Sequence, residues 1–481
     1  MASDLVLLIV GLLLAFDVVA IVTLVFFERR DPESVLAWLF AVITLPVAGF
    51  VLYLIFGFKY FKTRTFGLKS TGDKAILNRV RKGEALGVSE ETEKALNELV
   101  PYPELARLLW ADSGAFLTAG NQVEVYTNGN DKFEALFKAI KGAKNHIHLE
   151  YYILRDDELG ERLLTALEEK AREGVQVRLL YDDLGNKIPR LRYRKLTNLG
   201  GRVSGFYRAL IPSVGFRLNY RNHRKIVVID GTIGFIGGFN IANEYLGLGP
   251  LGPWRDTAVQ IHGAAVRALQ LRFLLDWNFA TKENLKLGGS YFTSQAEVGT
   301  AMIQIVSGGP DTTWNPPREE YVSMVHSAKR TCYLQTPYFI PDVSIMVALR
   351  IAALSGVDVR IMIPAKPDQP FVHWASLSNC GELLEAGVRV FLYKKGFLHA
   401  KTVVIDDSVT SIGTANWDLR SFKWNFETNA VIYDGEFGKK YRKIFEDDMT
   451  RSTEITKESY AKRSRSTRFM ESACRLFSGA L

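Results

Sequence analysis

Two histidine–lysine pairs, His223-x-Lys225 and His399-x-Lys401, are each followed at the same interval by an aspartate, Asp230 and Asp406. A glycine turn and an asparagine trail both copies, in Gly237-Gly-Phe-Asn240 and Gly413-Thr-Ala-Asn416. By chance any one histidine meets Lys at +2 and Asp at +7 about once in 300. Two matches among 7 histidines, with matching tails, therefore mark a repeated unit. Each copy supplies an imidazole, an ammonium and an amide. Together they offer a nucleophile, a proton carrier and donors for the charge on a five-coordinate phosphorus. That is equipment for breaking and remaking a phosphodiester bond without a metal.

Residues two apart in a strand point the same way, so each His and Lys should share one surface. The apolar runs that follow, Ile226-Val-Val-Ile229 and Thr402-Val-Val-Ile405, suit a strand. Asp230 and Asp406 have the opposite parity and are expected in supporting catalytic roles. Asn240 and Asn416 are expected to return toward the same site and bind phosphate. A further repeat, Trp254-Arg-Asp256-Thr-Ala-Val against Asn425-Phe-Glu427-Thr-Asn-Ala-Val, follows the histidine of each half. Asp256 and Glu427 are expected to hold the far nitrogen of those imidazoles and set their tautomer; the alternative is an ion pair at the surface or core edge. The other five histidines (146, 148, 262, 326, 373) lack such surroundings and read as core or surface residues. No His/Cys/Asp/Glu cluster has metal-ligand spacing, so neither a metal nor another cofactor is expected.

Alternating elements position these residues. In the first half, helices are expected over Asp131–Lys144 and Leu159–Glu173, with strands over Ile147–Leu154 and Val175–Tyr181. In the second, strands around Cys332–Thr336 and Val357–Ile363 flank a helix over Val343–Ala353. Gly174-Val-Gln-Val-Arg178 and Gly356-Val-Asp-Val-Arg360 are near duplicates. The pattern predicts an α/β fold of two pseudo-symmetric lobes, each a mixed, parallel-rich sheet flanked by helices. The expected divisions are a connector (63–118), a first lobe (119–290), a second lobe (291–450) and a basic tail (451–481). In the tail, Phe469, Leu476 and Phe477 can share a helical face, either interfacial or docked on the body.

The chain has 481 residues, a net charge of +8 and 3 cysteines without paired spacing. That balance suits an anionic partner and excludes a disulfide framework. The N-terminal 62 residues hold two apolar runs, about 5–27 and 35–57, each long enough to span a bilayer. They predict a transmembrane hairpin rather than a cleaved signal peptide, with Asp17 facing protein. Basic residues after the second run place the body on the cytoplasmic side. The expected location is therefore a bacterial inner (cytoplasmic) membrane, multi-pass.

The paired motifs resemble the phospholipase D superfamily, and the chain as a whole is similar to bacterial cardiolipin synthases. The likeness includes Arg29-Arg-Asp-Pro32, His148-Leu-Glu-Tyr-Tyr152, Tyr338-Phe-Ile-Pro-Asp342, Phe397-Leu-His-Ala-Lys401 and Arg420-Ser-Phe422. Thr414 stands where such proteins often carry serine. The resemblance implies phosphatidyl transfer between two phosphatidylglycerol molecules through a phosphatidyl-histidine, releasing glycerol. By analogy His223 is the nucleophile and His399 the acid/base. Phosphatidylglycerol and anionic membrane lipids are the expected partners of a membrane-embedded enzyme, with no nucleic acid and a possible homo-oligomer. The alternatives are a membrane-anchored hydrolase or nuclease of the same superfamily.

Overall fold

The computed structural model describes residues 60–86, 88, 90–206, 220–293 and 296–476, with 32–45, 48–53 and a few positions between 11 and 22. By internal contacts the chain forms two units, one of 1–71 with 209–220 and one of 72–208 with 221–481.

In the first unit a helix over Pro32–Thr44 has 13 residues and a second over Ala48–Leu52 has 5. Buried Val42 and Tyr53 gather Trp38, Leu39 and Phe50 around them. At 1.5 Å per residue the longer helix reaches about 20 Å, short of the ~30 Å hydrocarbon layer. Among the described residues no helix is long and apolar enough to cross a membrane. The expected transmembrane hairpin, the membrane embedding and the multi-pass inner-membrane location are corrected accordingly. Much of the 5–27 run, including Asp17, lies outside the described residues.

The second unit is built on a 16-stranded sheet whose strand order is a palindrome. Its centre is an antiparallel pair, Thr118–Tyr126 against Ala301–Gly308. Outward from the first of these run Ala258–His262, Ile233–Gly237, Ile226–Ile229, His146–Tyr151, Gln176–Tyr181 and Arg202–Gly205. Outward from the second run Asn425–Tyr433, Val409–Gly413, Thr402–Ile405, Thr331–Gln335, Asp358–Pro364 and Arg389–Tyr393, with Ser452–Ile455 added at the edge. The outer strands of each half pair in parallel, whereas the inner ones and the added edge strand pair antiparallel; the sheet is mixed, but mostly antiparallel, and the parallel-rich expectation is corrected.

Apolar residues on both sheet faces explain the helical cover. In Glu158–Arg172, Leu159, Leu163, Leu164 and Leu167 recur at helical spacing and are buried, while Asp157 caps the start by accepting from Gly160 N at 3.0 Å. Such a cap is worth about 1 kcal/mol. The equivalent helix, Val343–Leu354, is capped by Asp342 in the same way. At the C-terminus, a helix over Arg465–Leu476 docks by Cys474 against Ile340, Val372 and Ala375. Phe469 and Leu476 stay exposed, and Phe477 lies outside the described residues.

Candidate active site

Each His-x-Lys segment lies where the chain changes pairing partner. Arg221–Asn222 pairs in parallel with Asn425–Phe426 of the second lobe, whereas Ile226–Ile229 returns to the first-lobe sheet. In the same way Phe397–Leu398 pairs with Trp254–Arg255 of the first lobe before Thr402–Ile405 rejoins the second. The histidines sit at these crossings rather than inside a regular strand. His223 N donates to Phe426 O at 3.0 Å and His399 N to Arg255 O at 2.8 Å.

The next residue after each acceptor is a carboxylate, so the crossing decides which acid meets which imidazole. His223 Nδ1 lies 3.0 and 2.9 Å from the two oxygens of Glu427. His399 Nδ1 lies 2.6 Å from Asp256 Oδ2. Both acids contact a motif histidine, but each meets the histidine of the opposite lobe. The assignment within each half is corrected: strand pairing carries residues distant in the chain into contact.

Both carboxylates are fully buried, and burial alone would raise them. Lys401 and His399 outweigh it at Asp256, and His223 and Lys225 at Glu427, so both stay below the usual carboxylate range. Burial pushes His223 down to about 4 against the pull of Glu427, and the charge on Lys225 adds to the fall. Burial and then Lys401 push His399 down to about 3, against Asp256. Each unliganded imidazole is therefore neutral near pH 7, with Nδ1–H donated to its acid and the Nε2 lone pair available. Burial also lowers Lys401 to about 8 and takes Lys225 well below its ordinary value. Each ammonium bonds back to the carbonyl two residues earlier, Lys225 Nζ to His223 O at 2.6 Å and Lys401 Nζ to His399 O.

A cavity of about 660 Å³ opens over the pair and is lined by His223, His399, Asn240 and Asn416. Asn240 accepts from Ile153 N at 3.1 Å and donates to Tyr245 Oη at 2.7 Å. Asn416 Oδ1 is buried without a hydrogen-bond partner in the protein.

Asp230 and Asp406 lie elsewhere. A four-residue strand, Ile226–Ile229 or Thr402–Ile405, separates each from its His-x-Lys segment. Both occupy the left-handed region, with φ of 52° and 50°, in the turn beyond their strand. Asp230 accepts from Lys144, Asn145 and His146 N at 2.7–2.9 Å. Asp406 accepts from Lys329, Arg330 and Thr331 N at 2.7–2.8 Å, and from Tyr102 Oη at 2.7 Å. They pin a helix-to-strand loop to a hairpin, so the expected catalytic placement is corrected to a structural one.

Several neighbours beyond the expected site residues contact the histidines and Glu427. The Tyr152 ring meets the His223 ring edge-on at 4.9 Å and lies 5.2 Å from Lys225 Nζ. Trp254 packs 5.3 Å from His399. Thr414 Oγ1 and Asn425 Nδ2 donate to Glu427 at 2.5 and 3.0 Å. Trp254 and Asn425 each precede an orienting carboxylate by two residues, which places them on its side of the strand. That parity could have revealed them.

The family model "Cardiolipin synthase, PLD-like domain" matches residues 136–250 and 321–449, and "Phospholipase_D-nuclease N-terminal" matches 15–57. A cardiolipin synthase of Staphylococcus aureus strain Mu50 is 45% identical over 98% of this chain and 95% of its own. One from Listeria welshimeri is 45% identical over 98% of both. The crystal structure of a phosphatidylserine synthase from Haemophilus influenzae Rd KW20 shares the fold, with a TM-score of 0.60 at 15% identity, covering 75% of this chain and 95% of that one. With paired half-sites and similarity running nearly end to end, the chain belongs to the phospholipase D-type cardiolipin synthase family.

Proposed function

We propose that this cardiolipin synthase works by ping-pong transfer, with His223 as nucleophile and His399 as proton carrier. The observation that carries the reading is the pair of crossed imidazole–carboxylate contacts facing one cavity. His223 Nε2 attacks the phosphorus of phosphatidylglycerol, and Glu427 balances the charge of the resulting phosphatidyl-imidazolium. His399 Nε2–H donates to the departing glycerol oxygen. The phosphodiester brings a negative charge beside a buried imidazole, which favours the protonated form that this step needs. His399, left neutral, then takes the proton from the terminal hydroxyl of a second phosphatidylglycerol. Its oxygen bonds to phosphorus, the P–N bond breaks, and cardiolipin leaves.

Lys225, Lys401, Asn240 and Asn416 supply donors to the equatorial oxygens as charge builds. Residues 119–290 and 291–450 each furnish half of this site. With pure phosphatidylglycerol, the expected products are cardiolipin and free glycerol in equal amounts, insensitive to EDTA. Phosphatidic acid as the main product would make the protein a hydrolase instead. Acid-labile phosphatidyl label should map to His223 when turnover is quenched; label on His399 reverses the order of the two histidines.

A further inference from the structure

The half-sites repeat the histidine, lysine and asparagine at matching positions, but they differ at the cavity wall. Two positions before the motif histidine, the first half has Arg221 and the second Phe397. Four positions after the motif asparagine, the first half has Glu244 and the second Arg420. Because each His-x-Lys segment crosses to the other lobe, Arg221 pairs in register with Asn425, beside the segment that carries Arg420. The crossing therefore brings both arginines to one end of the cavity. It brings Phe397 against Trp254, with Glu244 facing Arg155, at the other. The pseudo-symmetric fold itself tolerates Phe397 and Glu244 at these places, so it does not require arginine.

Arg221 and Arg420 line the cavity that holds both histidines. Arg420 stands close enough for its charge to disfavour that of Arg221, and both act on the Tyr152 phenol next to His223. Asp182 attracts Arg221, and Asp418 attracts Arg420. Asp182 accepts from Leu184, Gly185 and Asn222 N, and Asp418 accepts from Ser421 N at 2.6 Å. Two guanidiniums bring planar, permanently charged donors to one end of this cavity. Planar donors in pairs match a phosphodiester.

The second half of the reaction brings just such a group. While one phosphate is bonded to the enzyme, the acceptor lipid arrives with its own, one glycerol away from the attacking hydroxyl. We infer that Arg221 and Arg420 form a second phosphodiester subsite that holds the acceptor's phosphate during transfer. The inference rests on the two-step reading above. It makes these arginines determinants of acceptor choice, favouring a phosphatidyl alcohol over glycerol or water.

The test compares two acceptors on the full-length enzyme in detergent micelles of phosphatidylglycerol. Incorporation of labelled glycerol into phosphatidylglycerol uses an acceptor without phosphate; cardiolipin formation uses one with it. In Arg420→Gln the ratio of cardiolipin formation to glycerol exchange should fall at least about tenfold, the loss of one charge-assisted contact, through a higher KM for the acceptor. Arg221→Gln should shift the ratio the same way, and Arg420→Lys should recover part of it. An unchanged ratio, whether both activities persist or both decline together, overturns the subsite. Absence of glycerol exchange in the unmodified enzyme overturns the two-step reading instead. Inorganic phosphate should inhibit cardiolipin formation more than exchange; equal inhibition assigns the arginines to free anions and overturns the lipid assignment.

Discussion

The two half-sites hold the same imidazole chemistry with different supports. Glu427 faces His223 with both oxygens and also accepts from Thr414 and Asn425. Asp256 meets His399 with one oxygen and accepts from Thr257 N at 2.7 Å with the other. The shorter acid leaves no room for a neighbour: a Cβ on Gly238, the counterpart of Thr414, would lie 2.0 Å from Asp256 Oδ1. A buried arginine braces each crossing from opposite directions. Arg224, in the His-x-Lys segment, bonds Asp276 at 2.6 Å and Gly308 O at 3.0 Å. Arg255, in the carboxylate strand, bonds Asp448 at 2.9 Å. The two halves thus share the imidazole–carboxylate contact while its surroundings differ.

The largest expected effect tests whether both halves are needed. His223→Ala and His399→Ala should each lower cardiolipin formation by at least about 10⁴-fold, as loss of a concerted catalytic group does; appreciable turnover in either makes one half dispensable. Next come the crossed acids. Glu427→Gln and Asp256→Asn should each cost roughly 10²- to 10⁴-fold in kcat. Glu427→Gln should also shorten the life of label trapped on His223, which Asp256→Asn should spare; the opposite pattern would restore pairing within each lobe.

The pH profile separates lysine from histidine. In the proposed transfer Lys401 acts as the ammonium, which persists below its value of about 8 and is lost above it. One unit above, kcat/KM should be down by about tenfold from this group. An alkaline limb unmoved in Lys401→Arg would assign the ionisation elsewhere. A smaller effect is expected from Thr414→Ala, about tenfold in kcat, since one bond to a carboxylate is lost. Gly238→Ala should cost more, because it displaces Asp256 outright, and equal losses would erase the difference between the halves. Least affected should be Asp230→Asn and Asp406→Asn, with near-normal kcat/KM but stability lower by about 1–3 kcal/mol from weakened loop bonds. Thermal melting should show the larger drop for Asp406, which also holds Tyr102.

Local order was legible in the chain. The helix expected over Leu159–Glu173 runs Glu158–Arg172, and that over Val343–Ala353 runs Val343–Leu354, because 3.6-residue periodicity and capping acids are local signals. The apolar N-terminus misled, since composition reports the length of an apolar run, whereas the described helices there hold 13 and 5 residues. The motif aspartates misled because proximity in a pattern implied a shared role, whereas each lies in the turn beyond the strand that follows its His-x-Lys segment.

By itself the sequence determined the reacting groups, their duplication and the phosphodiester chemistry they can perform, since these follow from residue type and short-range spacing. Tertiary structure decided which acid serves which histidine, across separations of 204 and 143 residues. It also decided that Arg221 and Arg420 share one end of the cavity. Both outcomes follow from a change of strand partner at the motif histidine, and backbone pairing between distant segments leaves no periodic trace in either one alone.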